Sequence, residues 1–388
     1  MPVLFAVPLF LLVPLLLGAA SMDDPWLRLT PTPSRALVSS AGSHRDAVVR
    51  ITLENRGRRP VTVNEVRIVY LAGERQLGAK AGGPDFFRAG GIDRERRVER
   101  GSRVDWIGIC LSPVPGDADR VRFELELSSR HGMGKIRSSQ SLEVLLRPAP
   151  SPRSLKLPFV GIWQVTQGHG CNTNHRLGGY GGEFSWDFVA LDPASGSSRS
   201  RMYAITRRNH DTVTFGSPIL APASGKVVRI VEDEPDNEGL RDFPRRSLTE
   251  DLGRPLWVFG NHVVLDVGGG QYVLLGHLMK ESILVSVGEE VEAGAPLAAA
   301  GNSGNSIEPH LHVQVMDRSD LADSAISGVP ALFRDYVEIV GHRHEARRDA
   351  LVRRMDAGDP PEGALVAPLP VDPAESRAEG EGAPASGP

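Results

Sequence analysis

The sequence has little of two things: cysteine, and an excess of charge of either sign. Its two cysteines, Cys110 and Cys171, could form one disulfide, although the sequence alone does not establish that they meet. Lys and Arg together number 44 against 48 Asp and Glu, which gives a net charge of −4. That balance offers no electrostatic argument for a nucleic-acid partner or for binding to an anionic membrane surface.

The remaining composition favours an all-β protein. With 388 residues, the chain is long enough for two domains that each bury a core. Hydrophobic residues make up 40% and charged residues 24%, which is typical of a globular chain. The 42 glycines and 30 prolines favour short strands and many turns over long helices.

Residues 1–20 carry an apolar run with no Lys or Arg before it. The run ends in the small residues Gly18, Ala19 and Ala20, which predicts an export signal cleaved near Ala20. An uncleaved N-terminal anchor is the alternative, and it would be the only membrane contact that the sequence suggests. We therefore expect an exported protein, in the periplasm, the cell envelope or the extracellular space.

Residues 31–148 contain short alternating segments separated by turn residues, a pattern that predicts an immunoglobulin-like β-sandwich. Examples are Ala47–Leu53, Val66–Tyr70, Val121–Leu127 and Leu142–Leu146. Four further units are predicted: a Pro-rich linker at 149–158, a second β domain at 159–338, a short Arg- and Ala-rich helix at 339–356, and a disordered tail at 357–388.

The most informative segment of the second domain is a His-Leu-His sequence. Leu311, Val313 and Val315 alternate with polar residues, so they should face one side of a strand. His310 and His312 should then share the other side. By itself this pattern is more typical of exposed strand histidines than of a metal or proton-transfer site.

Three other elements come before that strand in the chain. They are Asn174-His175 followed by Phe184–Phe188, then Gly260–Asp266, then Gln271–Leu278 with its Gly276-His277-Leu278 end. If Phe184, Trp186 and Phe188 face the core, Asp187 points to the opposite side, where it could meet two histidines. A His/Asp/His set suits catalytic Zn²⁺, which takes three protein ligands and keeps a fourth position for water.

The order of these elements resembles that of the LytM-like, lysostaphin-type zinc metallopeptidases, peptidase family M23. The resemblance covers about residues 159–315 and implies an M23-type antiparallel β-sheet catalytic domain. Carried over by position, it implies zinc ligands at His175, Asp187 and His312, and two non-ligand catalytic histidines at His277 and His310. The implied activity is cleavage of peptide bonds in peptidoglycan cross-links or stems, or in a similar peptide.

The sequence departs from the family pattern in ways that leave alternatives open. His175 precedes Asp187 by twelve residues, where the common form has four, so His169 is a rival first ligand. Insertions near 192–214 and 232–254 border the expected groove and put the substrate in doubt. The alternative function is a non-catalytic module of the same fold that binds cell wall or activates a partner hydrolase.

The other features receive weaker interpretations. His262 is expected to be structural or to support the site, and His342 and His344 to be solvated surface residues. The loop Asn302–Ser306 either lines the groove or is an ordinary turn. Nothing in the sequence indicates an oligomeric state.

Overall fold

The structure is a computed structural model that describes residues 26–32, 35–39, 45–82, 96–132, 134–148, 153–168, 175, 180–238, 258–323, 326–340 and 351–369. Several predictions lie outside these residues: the signal or anchor at 1–20, the rival ligand His169, and the surface pair His342 and His344. Cys110 is disulfide-bonded; Cys171, the only other cysteine of the sequence, lies outside the described residues. In the described part of the chain, none of the helices has the length and hydropathy of a transmembrane span.

The first part of the chain forms one nine-stranded sheet. Its strands are β1 (Arg28–Thr32), β2 (Arg35–Ser39), β3 (Asp46–Glu54), β4 (Val61–Ala72), β5 (Arg75–Gly82), β6 (Arg97–Val98), β7 (Arg103–Leu111), β8 (Arg120–His131) and β9 (Gly134–Pro148). The order is β1-β3-β2-β9-β8-β4-β5, with β6 paired to β4 and β7 paired to β3. All four segments that the alternation singled out lie within strands β3, β4, β8 and β9.

This sheet has its own core, in which alternate residues such as Val49, Ile51 and Leu53 of β3 are fully buried. Trp106 and Phe123, from β7 and β8, are the largest fully buried side chains in it. The predicted β-structure is confirmed. The finer assignment to an immunoglobulin-like sandwich stays a prediction.

The second part forms an eleven-stranded sheet and a small two-stranded one. Its strands are β10 (Arg153–Leu155), β11 (Trp163–Gln167), β12 (Trp186–Ala190), β13 (Pro218–Leu220), β14 (Gly225–Val231), β15 (Asn261–Asp266), β16 (Tyr272–Leu278), β17 (Glu290–Val291), β18 (Pro296–Ala299), β19 (Leu311–Met316), β20 (Ala331–Val340), β21 (Leu351–Gly358) and β22 (Leu365–Pro368). The large sheet runs β10-β20-β22-β11-β12-β19-β16-β15-β14-β17, with β21 paired to β20, and β13 pairs with β18. A short helix, α1 (Tyr203–Thr206), and a 3₁₀ turn (Asn209–Asp211) lie in the 192–214 insertion.

The strand β19 shows how the large sheet is packed. Leu311, Val313 and Val315 are buried in the main core, as their alternation predicts. The other face of the strand is also buried, because Met316 belongs to a second apolar cluster with Phe259 and other residues. The site described below therefore lies on a face that is partly covered.

The prediction of a linker at 149–158 is wrong for residues 153–158, the part that the structure describes. Residues 153–155 form β10, which pairs in parallel with β20, and Leu155 and Leu157 are buried in the main core. These two leucines alternate with Ser154 and Lys156, a strand-like pattern that the nearby prolines obscured.

The predicted helix at 339–356 is also wrong, because residues 351–358 form β21 in antiparallel pairing with β20. Backbone pairing at the sheet edge outweighs the helix propensity of Arg and Ala. The tail predicted to be disordered from 357 supplies β22, which lies between β20 and β11. Its Leu365 and Val366 are buried, and its backbone pairs with both neighbouring strands.

Candidate metal centre

The register of three neighbouring strands brings the predicted site residues together. Asp187 of β12 lies directly opposite His312 of β19, and Gly276 of β16 lies opposite His312 on the other side. His277 follows Gly276 in β16. Because side chains alternate along a strand, Trp186 and Phe188 enter the main core while Asp187 points away from it. The predicted orientation of Asp187 follows from this arrangement.

His175, Asp187 and His312 form a group whose potential ligand atoms all lie within 4.8 Å of one another. Nε2 of His175 is 3.0 Å from Oδ2 of Asp187, and Nδ1 of His312 is 2.9 Å from Oδ1. Tetrahedral zinc with bonds of about 2.0–2.1 Å needs ligand atoms about 3.3 Å apart, and the two His–Asp distances are close to that separation. The three side chains are only 6–13% exposed.

Gln314 determines which ring nitrogen of His312 carries the proton. The amide nitrogen of Gln314 donates to the carbonyl of Tyr180, 3.0 Å away, which orients its oxygen toward His312. That oxygen is 2.9 Å from Nε2 of His312, so Nε2 must be the donor. Nδ1 is left facing the carboxylate of Asp187.

His175 is arranged in the same way. Its Nδ1 lies 3.3 Å from the carbonyl oxygen of Gly168, which can only accept a hydrogen bond, so Nδ1 carries the proton. Nε2 then faces Asp187 from the other side. Without a metal, each ring can share a proton with Asp187 through the nitrogen that faces it; a divalent metal would replace those shared protons, and the donor set fits such a metal.

Asp187 is held in its ionised form. Burial alone would raise the pKa of this carboxyl, but the charges of His175 and His310 and the hydrogen bonds from His175 and His312 outweigh burial. The pKa of Asp187 therefore lies well below its ordinary value. An ionised carboxylate is the form that binds a metal.

His277 lies beside the group in an unusual backbone conformation. Its φ is +57°, in the left-handed region that residues other than glycine rarely adopt. Nδ1 donates to the carbonyl of Ser303, 2.8 Å away. Burial, with smaller contributions from His310 and His312, holds the pKa of His277 well below its ordinary value, so the ring is neutral with a lone pair on Nε2.

His310 completes the cluster from the residue just before β19. Its ring centroid is 4.5 Å from that of His277, and its Nε2 is 3.7 Å from Oδ2 of Asp187. Nδ1 is 2.8 Å from the carbonyl of Glu308, to which it donates. All five predicted site residues therefore lie together, with His277 and His310 adjacent to the His/Asp/His group.

Sequence reasoning missed the residues that orient these rings. Gln314 follows His312 by two positions, so the strand period that placed His312 would also have placed Gln314 on the same face. The acceptors from loop 302–308 had no comparable signal, because their role depends on the folding of an irregular segment. His262, expected to be structural, is fully buried with Nδ1 2.7 Å from the carbonyl of Gly260.

The insertion at 192–214 contacts the segment that precedes His310. Arg199 forms an ion pair with Glu308, and its guanidinium lies 4.9 Å from the ring centroid of Tyr203. Asn209 accepts a hydrogen bond from the side-chain amide of Asn302 at 3.0 Å. The described part of the other insertion reaches the same loop through Asn237.

Comparison with known proteins agrees with the motif order. Residues 210–324 match the family model described as peptidase family M23, which confirms the recognised resemblance over that segment. No curated protein matches the chain. The match supports a peptidase at the level of the family.

Solved structures similar to this chain include M23 proteins. The catalytic domain of lysostaphin from Staphylococcus simulans is 19% identical, with 44% of this chain and 88% of that chain covered and a TM-score of 0.24. A mutant catalytic domain of the prophage-encoded M23 protein EnpA from Enterococcus faecalis is 19% identical, with coverage of 43% and 88% and a TM-score of 0.25. Pseudoalterin, an M23 metalloprotease from the deep sea, is 16% identical, with coverage of 53% and 99% and a TM-score of 0.29.

Proposed function

We propose, from the premise that residues 210–324 match peptidase family M23, that this chain is an exported zinc metalloendopeptidase. One observation carries the proposal: two imidazole nitrogens, on rings whose other nitrogens have their own acceptors, and a buried carboxylate lie within 4.8 Å of one another. His175, Asp187 and His312 would hold the metal. When bound, Zn²⁺ supplies Lewis acidity that polarises a carbonyl and activates water near neutral pH.

We propose that His277 and His310 transfer the proton that the attacking water loses. In peptide hydrolysis the water oxygen bonds to the carbonyl carbon, the C–N bond breaks, and a proton lost by water reaches the leaving amine. A neutral imidazole with an available Nε2 can accept that proton and then donate it. Both His277 and His310 donate through Nδ1 to backbone carbonyls, which leaves Nε2 for this role.

The substrate proposal is peptidoglycan, in its peptide cross-links or stems, and it rests on the motif resemblance. Export rests on residues 1–20, which are apolar and end in small residues. The contacts of the 192–214 insertion with Glu308 and Asn302 support a further expectation, that this insertion shapes the substrate groove next to His310.

The test combines metal content with turnover. Wild-type protein should carry about one zinc per chain and release muropeptides from purified sacculi. His312→Ala should lose both the metal and the activity. His210→Ala is a matched control, because His210 is an exposed histidine of the insertion whose ring packs against Phe215 at 4.8 Å.

Two outcomes contradict the proposal in different ways. If the purified wild-type protein carries no zinc, the proposed zinc site at His175, Asp187 and His312 is excluded. A wild type with stoichiometric zinc that cleaves neither sacculi nor cross-bridge peptides excludes the enzyme and favours a non-catalytic module that binds wall or activates a partner hydrolase.

A further inference from the structure

Four arginines lie close together in the 192–214 insertion, in a chain whose overall charge is slightly negative. Between residues 198 and 210 the sequence holds Arg199, Arg201, Arg207 and Arg208, and neither aspartate nor glutamate. All four arginines are exposed. Since the whole chain has a net charge of −4, this segment carries a local excess of positive charge.

Arg199 is paired within the protein, and its partner lies two positions before His310. The guanidinium of Arg199 forms an ion pair with the carboxylate of Glu308. The backbone carbonyl of Glu308 is in turn 2.8 Å from Nδ1 of His310. The arginine-rich part of the insertion therefore borders the candidate site.

The ring of Tyr203 holds a second arginine at the same place. Tyr203 is buried, and the guanidinium carbon of Arg199 lies 4.9 Å from its ring centroid. The guanidinium carbon of Arg207 lies 5.5 Å from the same centroid. Burial, together with the charge of Glu308 and a hydrogen bond to it, raises the pKa of Tyr203. The ring thus keeps both guanidinium groups next to Glu308 by cation–π contacts.

Arg207 has no carboxylate partner among the residues that the structure describes. It ends α1 with a φ of +55°, and its backbone nitrogen donates to the carbonyl of Tyr203 at 3.0 Å. The acidic residue nearest to it in the sequence is Asp211, whose carboxylate accepts from the hydroxyls of Ser200 and Thr206. The N–H donors of the Arg207 guanidinium are therefore left for a partner outside the described protein.

Exposed apolar side chains flank the contact between Tyr203 and Glu308. Met202 precedes Tyr203 and is 51% exposed, and Ile307 precedes Glu308 and is 46% exposed. A bound peptide would cover this apolar surface, whereas a phosphate polymer offers little apolar surface in return. A free guanidinium beside exposed apolar side chains is therefore better suited to a peptide that carries a carboxylate.

We propose that Arg207 is a specificity-determining residue that binds a carboxylate of the substrate peptide, a few residues from the scissile bond. A planar guanidinium binds a carboxylate through two parallel charge-assisted hydrogen bonds, which an uncharged carboxamide does not match. The inference rests on the proposed function and narrows its substrate. A stem or cross-link peptide with this carboxylate free is preferred to the same peptide with the group amidated.

The test compares a synthetic cross-linked stem peptide with versions of it in which one carboxylate at a time is replaced by a carboxamide. With the zinc-loaded wild type, one replacement should raise KM about five- to tenfold and leave kcat nearly unchanged, because the contact lies away from the reacting atoms. In Arg207→Gln the same replacement should leave KM unchanged. Arg207→Lys keeps the charge without the paired hydrogen bonds and should retain part of the preference.

Arg208→Gln is the matched control, because it removes the same charge from the next exposed residue of the insertion. It should keep the preference of the wild type for the free carboxylate. An equal loss of preference in Arg208→Gln and Arg207→Gln would show diffuse attraction by the whole insertion and would overturn the role of Arg207. A wild type with the same KM for every peptide would overturn it as well.

Equilibrium binding separates this inference from the proposed function. The affinity of the labelled peptides for zinc-loaded His310→Ala is measured by fluorescence anisotropy, with and without Arg207→Gln in the same chain. The free carboxylate should strengthen binding about five- to tenfold, and only when Arg207 is present. If the wild type cleaves none of the peptides but this difference is found, the enzyme proposal fails and the carboxylate site stands.

Two binding results would overturn the carboxylate site. The first is equal affinity for all the peptides in the presence of Arg207. The second is an affinity for inorganic polyphosphate that falls in Arg207→Gln while the peptides bind equally, which would assign this surface to a phosphate polymer.

Discussion

Gln314 accepts a hydrogen bond from Nε2 of His312 at 2.9 Å, and thereby makes Nδ1 the atom that faces Asp187. Both residues lie on β19 and point to the same face, two positions apart. Gln314 is fully buried and its own amide is used by the carbonyl of Tyr180, so its orientation cannot reverse without loss of a bond. The metal-facing atom of His312 is thus determined by its partner on the far side of the ring.

The first prediction concerns Gln314, the hydrogen-bond acceptor for Nε2 of His312. Gln314→Ala should weaken zinc binding about 10–100-fold, because the ring loses the acceptor that orients it. The measurement is a competition titration with a zinc chelator. Gln314→Glu keeps an acceptor for His312 and should bind zinc more tightly than Gln314→Ala. Equal affinity in the two variants would contradict the role assigned to the hydrogen bond.

The second prediction separates His310 from the metal group. His310→Ala should keep the zinc content of the wild type, because its Nε2 lies 3.7 Å from the carboxylate and its Nδ1 is directed at Glu308. Muropeptide release should fall by about 10²–10⁴-fold, the usual contribution of a general acid or base. Metal analysis and sacculus digestion on one preparation test both statements. Loss of zinc in this variant would make His310 a ligand.

The third prediction uses the left-handed backbone of His277. Asn adopts that conformation more readily than Ala, so His277→Asn should unfold at a higher temperature than His277→Ala. Both variants should retain zinc and lose about 10²-fold or more in kcat. Thermal unfolding followed by metal analysis makes the comparison. Activity close to that of the wild type in His277→Asn would exclude His277 from proton transfer.

The fourth prediction concerns the close approach of Gly260 to Ser303, a residue of the loop that precedes β19. Gly260→Ala would place a methyl group 2.4 Å from the carbonyl carbon of Ser303, whereas a Cβ at Gly270 meets nothing within 4 Å. Both glycines have positive φ, so the strain of a left-handed alanine is common to the two variants. Gly260→Ala should be less stable than Gly270→Ala by about 1–3 kcal/mol, the usual cost of overpacking. Denaturant unfolding of the two variants measures this difference. Equal free energies of unfolding would contradict the close approach of Gly260 to Ser303.

The fifth prediction is a pH dependence of stability that comes from His262. Burial lowers the pKa of this ring from 6.5 to about 4, so between these values the unfolded chain binds a proton that the folded chain does not. Stability should therefore be complete above about pH 6.5, fall as the pH drops toward about 4, and lose about 3 kcal/mol from this group in total.

The control for that prediction is His262→Leu, in which the group no longer titrates. The unfolding free energy of the wild type minus that of the variant should decrease steadily as the pH falls through the same window. A difference that stays constant from pH 7 to about pH 4 would show that His262 does not titrate in this range.

Sequence reasoning succeeded where a period of two residues decides the direction of a side chain. It placed Leu311 and Val313 in the core, and it placed Asp187 opposite the aromatic residues of β12. The same rule would have found Gln314. It failed at β10, β21 and β22, where proline, glycine and arginine dominate the local composition and pairing with a distant strand decides the structure.

The sequence by itself determined the all-β class and the strongly alternating strands of both sheets, because alternation is a property of neighbouring residues. The five residues of the candidate site were predicted from the resemblance of the motif order to peptidase family M23. Only the tertiary structure decided which ring nitrogens carry protons and which face Asp187. Those assignments depend on carbonyl and amide acceptors, from Gly168 to Gln314, that are brought to the rings by strand register and loop packing. Hydrogen-bond geometry of this kind is set by contacts between residues far apart in the chain, and local sequence patterns do not encode it.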